Sequence, residues 1–261
     1  MARPVFLFAI LILAAVLAGC ASRVIDPRTA YQQGKYEAAL EYGIPQLEEN
    51  PDDDELRRIV GEAAFSVGDT FTAVEVLKPM LDQSSTDISF RVRIADAALV
   101  SGHLMLAREL YTSRLSGEDP EGQLREKLSK IDRRMRDAKA LASQGDSLLA
   151  RDEWARAAGA FQKALKQFAA HEEYRAKLML AQAEILADNE DPAMRERALL
   201  KVVEARKIWK NAALTWWIEG DVLMKLRRYD QGVEAMQKAL EMGLREPYKS
   251  RAKQYLRSAT S

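Results

Sequence analysis

Apolar side chains recur along this chain at intervals of three and four, the period of helices buried on one face. Val60, Ala64, Phe65, Ala73, Val76 and Leu77 form one such seam. Ile94, Ala98, Leu99, Ala107, Leu110 and Tyr111 repeat it 34 residues later. Gly34, Gly68 and Gly102 keep the same 34-residue spacing, with Ala39, Ala73 and Ala107 each five places behind. A glycine lets the backbone turn tightly between two helices, and the alanine lets the paired helices approach. The pattern predicts an all-α chain of stacked helix–turn–helix repeats.

Asp26-Pro27 is a helix start: a side-chain cap followed by proline at the first helical position. A short helix over about 27–33 follows, and its partner runs from Tyr36 to Glu49 and stops at Asn50-Pro51. Repeats two and three occupy about 54–87 and 88–121. The Gly117–Gly122 stretch, with Pro120, breaks the helix, and the period slips. Leu124, Leu128, Ile131, Met135, Ala138 and Ala142 then mark one helix over about 121–150, whose second half opens repeat four. Its other face, with Arg125, Lys127, Lys130, Arg133, Arg134 and Arg136 against Glu126 and Asp132, reads as a solvated surface rather than a binding patch. Repeats four, five and six cover about 138–171, 172–212 and 213–246, the fifth with roughly seven extra residues around Asp188–Pro192. The tail from Pro247 to Arg257 carries Tyr248, Ala252, Tyr255 and Leu256 on one side, as a helix that caps a stack does.

These residues resemble the tetratricopeptide repeat. Trp216, Gly220, Leu223, Tyr229, Met236, Ala239 and Leu240 fall on that family's large and small positions, and so do Leu141, Gly145, Leu148, Trp154, Ala157, Phe161, Ala164 and Leu165. Gly61 and Pro51 also match, whereas Gly232 stands where alanine is usual. The resemblance implies a tetratricopeptide-repeat helical solenoid of about six repeats and a C-terminal capping helix. Its parts would be repeats one to three over 27–121, a linking helix over 122–137, and repeats four to six with the cap over 138–261. It further implies a concave face lined by the first helix of each repeat, which binds peptide or protein partners. The positions that fall there are Tyr31, Arg58, Glu62, Phe65, Arg93, Asp96, Leu99, Trp217 and Lys225. Phe65 and Leu99 stand equally at core spacing, and Arg58 and Glu62, four apart, can pair with each other. One helix face cannot bury both Trp216 and Trp217, so one of them is left for a partner or a neighbouring helix.

Composition narrows the function. Lysine plus arginine equals aspartate plus glutamate at 39 each, so no basic footprint points to nucleic acid. His103 and His171 are the only histidines and lack helical spacing to a cysteine, to each other or to paired carboxylates. Neither metal binding nor acid–base catalysis is expected. No phosphate loop, Gly-x-Gly-x-x-Gly run or Gly-x-Ser-x-Gly elbow is present. The chain is therefore expected to be non-catalytic, without cofactor or metal.

The first nineteen residues read as a signal peptide. Arg3 precedes an apolar run from Val5 to Leu17, too short for a comfortable membrane span. The run closes on Leu17-Ala18-Gly19-Cys20, which resembles a bacterial lipobox and implies acylation of Cys20, with 20–26 as the lipidated tether. Cys20 is the only cysteine, so it has no internal disulfide partner. Ala21 and Ser22, with no aspartate after the cysteine, imply an outer-membrane lipoprotein on the periplasmic side. The architecture is similar to pilotins and other lipoproteins that assist pilus and secretion machines, which implies secretin or pilus components as partners. Two other readings stand beside it: a scaffold for outer-membrane protein or cell-wall enzyme assembly, and a structural protein self-associating through helix 121–150.

Overall fold

A computed structural model describes residues 26–82, 87–114 and 122–259. The segment expected to be a signal peptide, Cys20 and most of the expected tether lie outside the described residues. Among those described, every element is helical, and no helix is long and apolar enough to cross a membrane. The chain divides into two compact units at Asp87/Ile88, one repeat earlier than Gly122.

The first unit contains α1 (Pro27–Gln32), α2 (Tyr36–Glu49), α3 (Asp54–Ser66) and α4 (Thr70–Leu77), followed by a 3-10 turn over Lys78–Asp82. Three of its four helices begin where aspartates cap them. Asp26, Asp53 and Asp69 accept from the backbone N–H groups of Thr29, Leu56 and Thr72 at 3.1, 2.8 and 3.0 Å. Such a bond satisfies one of the donors that a helix start leaves open. Helix α3 packs on α2 and α4 and also on α1, so first helices touch across repeats as well as within hairpins. Leu56, Val60, Ala63, Ala64, Ala73, Val74 and Leu77 form the buried seam.

The second unit contains α5 (Ile88–Ser101), α6 (Leu104–Arg114), α7 (Gln123–Leu149), α8 (Trp154–Gln167), α9 (Glu172–Ala187), α10 (Pro192–Ile208), α11 (Ala213–Lys225), α12 (Tyr229–Glu241) and α13 (Tyr248–Ala259). Each helix packs on the next in sequence, and α9, α11 and α13 also touch one another in order. That alternation of hairpin contact and first-helix contact is the tetratricopeptide arrangement. Close approach depends on small residues: a Cβ on Gly145 would stand 2.7 Å from the Phe161 ring. Gly232 has the same cause. A Cβ there would meet Met224 Sδ at 2.8 Å, so the alanine usual at this position would require the Met224 side chain to shift.

The apolar stripe of α7 is covered in part within the chain: Ile131, Ala138 and Ala142 are buried, while Leu124, Leu128 and Met135 are half-buried. The half expected to link two sets of repeats is packed too. Lys127 pairs with Asp96, and the Arg134 guanidinium donates to the Leu99 carbonyl, both on α5. These two cations, read from the sequence as part of a solvated face, hold α7 against α5.

Candidate functional site

Within the second unit, α9, α11 and α13 supply most of the walls of a groove of about 740 Å³. Its lining includes Glu184 from α9 and Asp188 at that helix's C-cap, Trp217, Asp221 and Lys225 from α11, and Arg251 and Tyr255 from α13. Asp152 and Trp154, at the turn into α8, close one end. Its volume lies in the range of about 300–1,000 Å³ typical of ligand clefts.

Lys225 sits at the centre. Its ammonium donates to Glu184 Oε2, Asp188 Oδ1 and Asp221 Oδ2, each at 2.8 Å. The last turn of α11 is itself fixed from behind, because the Arg195 guanidinium donates to the Lys225 carbonyl at 2.8 Å. Glu184 is only 1% exposed. Burial, reinforced by the Asp221 charge, pushes its carboxyl up to about 8. Burial alone would lower Lys225, but the charges of Glu184 and Asp221 outweigh it and hold the ammonium above its ordinary value. At neutral pH the set is one cation, two aspartates and a protonated glutamic acid. Arg251 reaches across from α13 to Asp152 at 2.6 Å and donates to the Ala150 carbonyl at 3.3 Å. The capping helix is thereby tied to the turn that closes one end of the groove.

Two of the nine positions expected on the partner-facing surface, Trp217 and Lys225, belong to this groove. Trp217 corrects the expectation: it is 4% exposed, covered by Tyr248 and Tyr255 of α13 with ring centroids 6.0 and 6.1 Å away. The capping helix takes up the tryptophan that the sequence left for a neighbour or a partner. Trp216, the half-buried one, lies under the Arg206 guanidinium, 4.1 Å from its ring centroid.

Leu99 is a second correction. It is 7% exposed and packs into the core, the alternative its spacing allowed. Asp96, its neighbour one turn earlier, accepts from Tyr111 and pairs with Lys127, while Arg93 on the same helix is exposed. In the first unit, Tyr31, Arg58 and Glu62 come together with Ile59 around a smaller hollow of about 270 Å³, and Phe65 is half-buried on the same helix.

Glu184, Asp188, Asp221, Asp152, Arg251 and Tyr255 were missed by sequence reasoning. Asp221 and Lys225, four apart on one helix, were the only local signal. The histidines serve their turns. His171 accepts from the Tyr174 N–H at 3.4 Å and stacks on the Tyr174 ring at 3.6 Å, capping α9. Buried His103 places Nδ1 2.8 Å from Ser101 Oγ between α5 and α6. Among the described residues, no three of histidine, cysteine, aspartate or glutamate converge as metal ligands.

No protein-family model and no curated protein matches the sequence. Solved structures do resemble it. The TPR domain of P58(IPK) is 15% identical with a TM-score of 0.39, covering 97% of this chain and 67% of that one. The TPR2AB domain of yeast Sti1, described as a pHSP90 complex, is 16% identical at a TM-score of 0.34, covering 90% and 96%. TTC0263, a TPR protein of Thermus thermophilus, is 15% identical at 0.29, covering 88% and 95%.

Proposed function

We propose that the chain is a non-catalytic adaptor that binds segments of partner proteins in the groove between α9, α11 and α13. The groove itself carries this reading. It joins an open rim of carboxylates to a wall of aromatic rings, on helices anchored from behind by ion pairs and backbone hydrogen bonds. Preorganised grooves of this kind bind peptides because association has little left to order.

The adaptor is held on the periplasmic side of the outer membrane by acyl chains on Cys20, a reading supported by the apolar run and lipobox-like Leu17-Ala18-Gly19-Cys20. Several chains at about 0.8 kcal/mol per buried methylene give firm attachment. Confinement then raises the effective concentration toward partners at that membrane. Its work there is to assist assembly of a pilus or secretion machine, with secretin or pilus components as clients.

The test is genetic complementation. In a deletion strain, we expect secretin multimers at the outer membrane to be lost and restored by the wild-type chain but not by Cys20→Ser. Normal secretin assembly in the deletion strain would remove the client. Full rescue by Cys20→Ser would remove the anchor.

A further inference from the structure

We infer that the groove is a receptor for a basic segment of a partner polypeptide, one that sets a lysine or arginine side chain against Asp188 and Asp221 beside the Tyr255 ring. The inference rests on the adaptor reading above and names the chemistry of its ligand.

Charge is the first argument. The lining supplies the carboxyl groups of Asp152, Glu184, Asp188 and Asp221 against the cations of Lys225 and Arg251. Both cations are committed within the chain, Lys225 to Asp188, Asp221 and the Glu184 carboxyl group and Arg251 to Asp152. The surplus is negative, and part of it faces outward, because the Asp188 side chain is 54% exposed. An acidic segment would meet like charge here. A neutral one would strip water from Asp188 and Asp221 and return no compensating donor. A basic side chain returns charge-assisted donors to both.

The second argument is shape and surface. Tyr255 is 40% exposed and stands at the rim, next to Trp217. An aromatic face beside carboxylates suits the methylene stem of a lysine or arginine, and a cation over such a ring gains further attraction. A metal ion is the poorer occupant of the same carboxylates, since the Lys225 ammonium already takes the point on which all three converge.

The test uses the purified full chain in detergent micelles with three fluorescein-labelled octapeptides, in which glycine alternates with lysine, glutamate or serine. Anisotropy at low ionic strength should show binding of the lysine peptide, weakening as salt is raised. Asp188→Asn and Asp221→Asn should each cut its affinity about two- to fivefold, given a screened charge pair at a partly open rim. Lys225→Met should instead tighten it, because the resident competitor is gone. A merely structural role for Lys225 would give the opposite sign. Circular dichroism of each variant separates lost binding from lost helix.

Equal binding of the glutamate peptide, or indifference to both asparagine variants, overturns the inference. Binding of spermidine as tight as the lysine peptide's also overturns it, by assigning the groove to a free polycation. Preferential binding of the serine peptide would overturn it while leaving the adaptor reading in place. If none of the three binds, the inference falls, and the adaptor reading then stands or falls on the complementation result.

Discussion

The turns of the first three hairpins and those of the α7–α8 and α11–α12 hairpins reach the same backbone geometry with different residues. Gly34, Gly68 and Gly102 hold φ at 72°, 81° and 83°, while Asp152 and Arg227 hold it at 60° in the equivalent places. In all five the following residue donates to the carbonyl five positions back. Lys35 donates to Ala30, Asp69 to Ala64, His103 to Ala98, Glu153 to Leu148 and Arg228 to Leu223, at 2.8–3.0 Å. The hairpin is therefore defined by that hydrogen bond and not by glycine, which only removes the cost of a left-handed residue, about 1–2 kcal/mol. Where a side chain takes the position instead, the cost needs a reason. Asp152 has one: it lines the groove and holds Arg251. Nothing comparable explains Arg227.

The sharpest break in the comparison is expected at Gly102. A Cβ there would meet the Ala169 backbone nitrogen at 2.8 Å, whereas at Gly34 nothing lies within 4 Å. Gly34→Ala should cost only the backbone strain, about 1 kcal/mol. Gly102→Ala adds a clash with backbone that cannot rotate away and should cost about 3 kcal/mol. Urea unfolding of the two variants checks the difference. Equal losses would mean that close approach contributes nothing at Gly102.

How far the sequence carried follows from the same contrast. Local, periodic signals were legible: the 34-residue glycines, the seams of repeats two and three, and α7 as one helix, expected over 121–150 and found over Gln123–Leu149. The later turns were legible only through the aromatic two places on, Trp154 and Tyr229, because Asp152 and Arg227 carry no turn signature of their own. Long-range polar contacts were not legible. Glu184 and Asp188 lie 41 and 37 residues before Lys225, and Asp152 lies 99 before Arg251. No helical period links such positions, so Lys225 was visible as a candidate while the carboxylates that give it meaning were not. Trp217 was ambiguous for a related reason, since the helix that covers it arrives from the far end of the repeat.

The two regions should also answer pH in opposite directions. In the first unit Asp26 and Asp53 are lowered, chiefly by the Thr29 hydroxyl and the Leu56 N–H respectively. Their contributions are present at neutral pH and fade as the pH falls through their folded values. Glu184 is raised, from the usual 4.5 to about 8, first by burial. Below about pH 4.5 the folded and unfolded chains both hold its proton. Above that only the folded chain does, so stability is lost as the pH rises, until about 8. Glu184→Gln keeps an oxygen for Lys225 and removes this slope. Denaturant midpoints of wild type and variant should converge at low pH and separate in the variant's favour by about pH 8. A constant difference across the range would mean that Glu184 binds its proton alike in the folded and unfolded chains.

The smallest effect isolates the tie across the groove. Arg227→Gly should stabilise the chain by about 0.5–1 kcal/mol, since a left-handed residue loses its Cβ strain and part of the gain returns to unfolded-state entropy. Asp152→Gly relieves the same strain but also removes the partner of Arg251. Both side chains of that pair are partly exposed, at 47% and 35%, so screening limits it to about 0–1 kcal/mol. The two terms should nearly cancel, leaving Asp152→Gly close to wild type in thermal unfolding while Arg227→Gly melts higher. A gain at Asp152 as large as that at Arg227 would show that the bridge to α13 contributes no stability. The left-handed aspartate would then be retained for what the groove binds and not for how the capping helix is held.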